Sequence, residues 1–490
     1  MNERPPGAPI IDWTVRRDWT AAARADGTYS DLIGQFAVTI AREAMRFAQD
    51  PDILILISPS MGGDSALAAA RLMRAAGYSP RIATDRRFVH PTPDGPELDE
   101  YRRDRVRAFT TMLEACGERI DILEESAPAP LLIDASFTPL VPFGTPWRHE
   151  HAWGAQWRTF YRAASVRIAI DNLAFASPNG ESMYLIEEHP GATMTIALGA
   201  LAAQHVVLPA APLCGRIVLA PADPPVASDW RVTARPRIDP PAPDAHKYSR
   251  GMVVVVGGEM PGAARLAARA AAASGAGYVV LAGKDVHAGI DAIVSRSVET
   301  PGDLSALLDD SRIGAVVIGP GLGRSDRARA MLAAALASDR PLVLDADALT
   351  LLGRENEGPL RRPPATWITP HFGEWAALSG DSFFESGKLV QTAWWAEEGF
   401  GMIFKGADTV IGTPAGAAVL DRLGPSWLST AGTGDVLSGV LAARLAARQG
   451  DWACGAEAVW LHARAAELAG PAFTADELIA SIGAAIGECV

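Results

Sequence analysis

Cysteine is scarce in this 490-residue chain: Cys116, Cys214, Cys454 and Cys489 are widely scattered and fall in no CxxC or metal-ligand spacing. That excludes a disulfide framework and a zinc-ribbon type of site, and the four read as reduced, cytosolic thiols. Long apolar runs are lacking too. No uncharged stretch reaches the roughly 18 residues a membrane helix needs. The start, MNERPPGAPIIDW, is polar and proline-rich with no apolar signal core, so a cytoplasmic location away from membranes is expected. Positive charge is in short supply: 44 Lys and Arg against 57 Asp and Glu give a formal net charge of -13. That balance argues against a general binder of nucleic acid or of membrane surfaces. What is present is ordinary globular composition, 49% hydrophobic and 21% charged, in a chain long enough for two or three domains with sizeable cores.

The clearest break is the proline-dense, aperiodic stretch at residues 223–251, DPPVASDWRVTARPRIDPPAPDAHKYSRG. It divides the chain into an N-terminal domain at 1–225, a linker at 226–245 and a C-terminal domain at 246–490. Downstream, short β-branched runs (252–258, 278–283, 315–321, 341–349 and 366–370) alternate with helical patterns near 262–274, 325–338 and 371–379. Such alternation predicts a mostly parallel sheet covered by helices on both faces, with a hairpin added after residue 400. Upstream, strand-like runs at 52–60, 130–137 and 166–173 and a glycine-started helix at 62–78 predict a second three-layer α/β unit. The fold class is therefore α/β, in two domains.

In STAGTGDVLSGVLAARLAARQ, residues 429–449, Asp435 follows Gly432, Thr433 and Gly434 and opens a helical pattern. One reading makes Asp435 a helix-start acid, favoured by the dipole and the free N–H groups. The other starts from the glycines, which let several N–H groups converge on an anion. A carboxylate beside a resting phosphate would be repelled, so its presence fits a general base at a phosphoryl group being transferred. Further candidates fall at predicted strand ends, where open α/β sheets bind ligands: GPGLG at 319–323, Asp345 and Asp347, His371, and Lys405. Each has a plainer reading as a turn, a cap, a helix start or a solvated lysine. One polyanion site plus one base unites them most simply.

HKYSRGMVVVVGG, MPGAARLAARAAAASGAGYV, GPGLG, LDADAL, TPHFGEW, FKGADTVI and STAGTGDVLSGV stand in this order between residues 240 and 488. In order and spacing the C-terminal half resembles the ADP- or ATP-dependent NAD(P)H-hydrate dehydratases, which have a ribokinase-like fold. The resemblance implies repair of hydrated NADH or NADPH at the expense of ADP or ATP, with Mg²⁺ accompanying the phosphates. It makes Asp435 the catalytic base and the amides around Gly432, Thr433 and Gly434 the cradle of the transferred phosphoryl group. Lys405, Gly406, Ala407, Asp408 and Thr409 match the nucleotide-contacting KGxxT stretch, and Ala263, Gly321 and His371 match positions that contact the hydrate. A homo-oligomer is likewise implied. A vitamin or sugar kinase of the same ribokinase-like group is the alternative, since those also set an Asp behind a GTG turn.

Residues 1–225 resemble in layout an N-terminal, Rossmann-like NAD(P)H-hydrate epimerase domain: SMGGDSALAAARLMRAAGY, IDASF and AIDNLAF match three of its segments. Asp64 and Asp171 stand at its substrate-contacting positions. Of its potassium ligands Asp134 survives, but Met61 and Ala174 replace an Asn and a Ser. A thioether and a methyl group are no ligands for a hard cation. Potassium is therefore expected only if the epimerase site is active; the alternatives of a residual epimerase and a non-catalytic binding module stay open.

Overall fold

The computed structural model describes residues 4–48, 52–86, 100–115, 117–136, 152–174, 176, 190–355, 365–379 and 387–490. The chain packs as two units, Met1–Val232 and Thr233–Val490. In the C-terminal unit the apolar runs form the strands Met252–Val256, Tyr278–Gly283, Ile313–Ile318, Leu342–Leu344 and Thr366–Ile368. They are joined through helices that include Pro261–Ala273, Asp326–Leu336 and Phe372–Ser379. Unbroken rather than alternating Val, Ile and Leu suits strands covered on both faces, and Val253 to Val256 are fully buried.

Across this sheet the order is Val294–Ser297, Tyr278–Gly283, Met252–Val256, Ile313–Ile318, Leu342–Leu344, Thr366–Ile368 and Gly401–Phe404, all parallel. Val410–Thr413 and Gly416–Val419 then extend it antiparallel, so the expected hairpin is a three-stranded meander. The chain winds one way from Met252–Val256 and the other way from Ile313–Ile318. The crevice at their carboxyl ends is thus a topological switch point, where such sheets bind ligands. Behind it lies the helix Thr433–Ala447, apolar on every side and buried along most of its length. Gly439 lets it press onto Pro261–Ala273, since a Cβ there would fall 2.1 Å from the Ala267 carbonyl oxygen.

The N-terminal unit has a seven-stranded, wholly parallel sheet in the order Ile120–Ile122, Ser79–Thr84, Asp52–Ile57, Leu131–Ala135, Val166–Ile170, Met194–Leu198 and Arg216–Ala220. Its switch point lies between Asp52–Ile57 and Leu131–Ala135. Three further strands pair with one another: Pro9–Ile11 pairs antiparallel with Trp230–Val232 and parallel with Leu201–Ala202. Trp230–Val232 falls inside the proline-dense stretch, which continues from Thr233 to Gly251 without helix or strand. Cys214, Cys454 and Cys489 are free, buried thiols, while Cys116 lies outside the described residues. Among the described residues no helix is long and apolar enough to cross a membrane.

Candidate active site

Four charged side chains meet at the carboxyl edge of the C-terminal sheet. Asp345, just beyond Leu342–Leu344, is buried, and its Oδ1 lies 2.8 Å from Nζ of Lys405, which follows Gly401–Phe404. Its Oδ2 accepts a 2.6 Å hydrogen bond from Ser438 Oγ, on the helix Thr433–Ala447. Glu374, in the first turn of Phe372–Ser379, brings Oε2 to 3.6 Å from the same ammonium. Asp435 completes the group, and the Asp345, Glu374 and Asp435 charges hold the Lys405 pKa up against burial, the largest and opposing influence.

Asp435 does not cap its helix. The N-cap is Gly432, left-handed at φ 89°, and no side chain caps this end. A Cβ at Gly432 would lie 2.7 Å from Leu266 Cδ1, so both the backbone angle and the close packing call for glycine. Among the described residues the Asp435 carboxylate accepts no hydrogen bond. Burial, with the charges of Asp345 and Glu374, pushes its pKa up to about 6 against the opposing pull of Lys405. A half-buried carboxylate with its pKa raised to about 6 is suited to taking a proton. The turn before it is held rigidly. Thr433 Oγ1 donates to the carbonyls of Leu428 (2.8 Å) and Thr430 (2.9 Å). From the buried helix Ala453–Ala469, His462 Nε2 reaches the Thr433 carbonyl at 2.9 Å. A carbonyl only accepts, so the ring carries its proton on Nε2. Burial pushes its pKa down to about 4 and keeps it neutral.

The other expected residues line the same edge. GPGLG follows Ile313–Ile318, and Gly323 N donates to Asp347 Oδ2 at 3.0 Å, so Asp347 ties this loop down from the first turn of its own helix. At Gly321 a Cβ would sit 2.2 Å from the Met260 carbonyl oxygen. Met260 N donates in turn to the Gly321 carbonyl at 2.9 Å, just before the helix whose first turn holds Ala263. His371 does start its helix: its N–H donates to Glu374 Oε2 (2.9 Å), and its Nδ1 accepts from Glu374 N–H (3.2 Å), leaving the ring more than half exposed. The KGADT loop is clamped by Lys388, whose Nζ donates to Asp408 Oδ1 (2.7 Å) and to the Asp408 (3.1 Å) and Lys405 (3.4 Å) carbonyls. Thr409 Oγ1 donates to the Gly406 carbonyl at 2.6 Å. Ala407 O accepts from Gly424 N at 2.7 Å, joining this loop to the segment that leads into the glycine turn.

Sequence reading passed over Glu374, Lys388, Ser438 and His462 as site residues. Glu374 stood within the quoted TPHFGEW, and Ser438 three residues after Asp435, one helical turn on and therefore on the same face. Lys388 and His462 carry no local signal, being brought in by distant helices.

In the N-terminal unit each of the three expected acids is held by protein partners. Asp134 is buried with Oδ1 accepting from Ser136 N–H (3.0 Å) and, closely, from Ser136 Oγ, and Oδ2 accepting from Trp157 Nε1 (3.0 Å). Asp171, left-handed at φ 64°, pairs with Arg16 at 3.2 Å and accepts from Leu198 N–H at 3.2 Å. Asp64, in the first turn of Met61–Ala75, accepts from Tyr29 Oη (2.5 Å) and pairs with Arg24 (3.2 Å). Met61 and Ala174 are both buried. Residues 137–151, which follow the IDASF segment, lie outside the described residues.

Residues 253–485 match the family model for NAD(P)H-hydrate dehydratase. The bifunctional NAD(P)H-hydrate repair enzyme Nnr of Mycobacterium tuberculosis is 35% identical over 267 residues, 52% of this chain and 54% of that protein, so the match spans about half the relative's length. The enzyme of the same name from Thermosynechococcus vestitus is 28% identical over 451 residues, covering 86% of this chain and 84% of that one. A solved ADP/ATP-dependent NAD(P)H-hydrate dehydratase from Bacillus subtilis, co-crystallised with ATP and Mg²⁺, is 26% identical, with 52% of this chain and 95% of that chain covered and a TM-score of 0.45. By its sequence, the C-terminal domain at residues 253–485 belongs to the NAD(P)H-hydrate dehydratase family.

Proposed function

We propose that the C-terminal unit converts hydrated NADH or NADPH to the dihydronicotinamide at the expense of ATP or ADP. The observation that carries this reading is Asp435: a carboxylate without hydrogen bonds among the described residues, its pKa pushed up to about 6, directly behind a rigid glycine turn at a helix start. Asp435 takes the proton of the ring hydroxyl, and the oxygen bonds to the terminal phosphorus as the bond to the remaining nucleotide breaks. The phosphate ester then eliminates phosphate, a far better leaving group than hydroxide, and the ring double bond returns as an adjacent carbon loses its proton. Backbone N–H groups of Gly432 to Gly434 face the phosphoryl group as it gains charge. The nucleotide enters as its Mg²⁺ salt. That suits the donor set: Asp345 is already committed to Lys405 and Ser438, and such an ion takes most of its shell from phosphate oxygens and water.

Lys405, Asp345 and Glu374 set the field in which Asp435 titrates. Ala263, Gly321 and His371 are assigned to the hydrate side, and Lys405 to Thr409 to the nucleotide side. The N-terminal unit is assigned a non-catalytic role, because the Asp134 and Asp171 carboxylates are engaged by protein donors and by Arg16, and Met61 and Ala174 offer no oxygen. The test is incubation of the purified protein with hydrated NADH and either nucleotide, followed at the absorbance of the restored dihydronicotinamide. No nucleotide-dependent increase would sink the reading.

A further inference from the structure

Trp427 is an unusual residue to leave in water. Its neighbours in the site are packed or hydrogen-bonded, whereas its side chain belongs to a residue 49% exposed on the short 3₁₀ turn Ser426–Leu428. Two other exposed aromatic residues among the described residues of the unit differ from it. Trp394 stacks edge-on against Trp395, and Phe372 adjoins the His371 cap. Among the described residues the indole of Trp427 makes no ring contact, cation contact or hydrogen bond. An indole exposed without a partner presents a free π-face to which a flat ring can stack.

The turn that carries it is fastened at both ends to the site. Upstream, Gly424 N–H donates to the Ala407 carbonyl of the KGADT loop at 2.7 Å. Downstream, Thr433 Oγ1 of the glycine turn donates to the Leu428 carbonyl at 2.8 Å, and Thr430 Oγ1 to the Trp427 carbonyl at 2.9 Å. Within the turn, Leu428 N–H reaches the Pro425 carbonyl at 3.0 Å and Ser429 N–H the Ser426 carbonyl at 3.1 Å. Trp427 therefore sits on a stiff bridge between the loop assigned to the nucleotide and the turn assigned to its terminal phosphoryl group. A backbone turn fastened in this way loses little freedom when a flat ring lies against its exposed side chain.

We infer that Trp427 is the stacking platform for the base of the purine nucleoside di- or triphosphate. This rests on the functional reading above, and it commits the indole to the nucleotide rather than to the hydrated nicotinamide ring. Phosphates are held by the amides at one end of the bridge, and the base is held by its π-face, with no demand on hydrogen bonding at the base edge.

The test measures binding by calorimetry on the full chain, without turnover. Trp427→Ala is expected to weaken ADP by about tenfold or more, the worth of one base–aromatic stack, while Trp427→Phe keeps most of the affinity. Inorganic tripolyphosphate, which has no base, is expected to bind wild type and Trp427→Ala alike. Equal ADP affinity in wild type and Trp427→Ala overturns the inference. So does an equal loss for ADP and tripolyphosphate, which signals a collapsed turn, or a loss confined to hydrated NADH. Because the readout is binding, a protein that holds ADP through Trp427 yet never restores dihydronicotinamide defeats the dehydratase reading and leaves this inference standing.

Discussion

Lys405 Nζ stands 2.8 Å from Asp345 Oδ1, and the second oxygen of Asp345 is taken by Ser438, so the lysine's nearest carboxylate is fully engaged. Asp435 is left to feel both charges, with no hydrogen bond of its own among the described residues. Its proton affinity is therefore set by burial and by the balance between two acids and one ammonium, an arrangement that lifts its pKa to about 6.

Asp435→Asn keeps the side-chain shape but cannot take the proton. Turnover is expected to fall by about 10²-fold or more, measured as restored dihydronicotinamide per enzyme. The same variant is expected to be more stable than wild type at neutral pH. A carboxyl whose folded pKa lies above its unfolded value binds more protons folded, so its contribution is full below pH 4 and is lost as pH rises through about 6. Melting curves should show Asp435→Asn ahead by roughly a few degrees at pH 7.5 and level with wild type at pH 4. A folded variant with normal turnover would remove Asp435 from the mechanism.

The pH profile follows from the same group. kcat/KM is expected to rise about tenfold per pH unit below pH 6 and to level off above it. Lys405 is the cation that opposes this raised pKa, so Lys405→Met is expected to move the inflection upward. It should also weaken nucleotide binding more than hydrate binding, and lower stability by leaving Asp345 buried without its ion pair. An unmoved inflection would mean that the two groups do not share a field.

His462 is buried and neutral, with its pKa pushed down to about 4. The unfolded chain takes up a proton near pH 6.5 that the folded one refuses, so this stability is present above pH 6.5 and lost as pH falls toward 4. His462→Leu also frees the Thr433 carbonyl at the glycine turn, at a cost of about 1–2 kcal/mol. Denaturant titrations are expected to show His462→Leu less stable at pH 7.5, with the gap narrowing at pH 4.5. A gap that stays constant with pH would show the ring titrating normally.

In the N-terminal unit potassium is expected to change neither the melting temperature nor any epimerisation rate. Asp134 instead serves the fold: Asp134→Ala strands Trp157 Nε1 in the interior and should cost about 1–3 kcal/mol. Rapid, potassium-stimulated interconversion of the two hydrate epimers by the intact protein would reverse this assignment.

Much of the architecture is written locally. Unbroken Val and Ile runs such as VVVV at 253–256 have few options other than a strand covered on both faces, and alanine-rich stretches between them have the helical period, so α/β alternation was legible in the chain. The glycine turn with Asp435 behind it was legible too, because glycine spacing and a first-turn acid are one-dimensional signals. Local signals also misled in degree: PLVLDADAL suggests a strand over 341–349, but only Leu342–Leu344 pair, because Ala346 turns left-handed at φ 47° and Asp347 opens a helix.

What Asp435 can do was decided only by tertiary structure. Its pKa depends on Asp345, Glu374 and Lys405, which are 30 to 90 residues away in sequence and meet because three parallel strands end at one edge. The same holds for His462 under Thr433 and Lys388 on Asp408, each delivered by a helix whose sequence shows only an apolar period. Sequence fixes which side chains are available and which elements carry them. Electrostatic and hydrogen-bonding partners at a site are set by distance in space, and only the packed sheet and its covering helices define that distance.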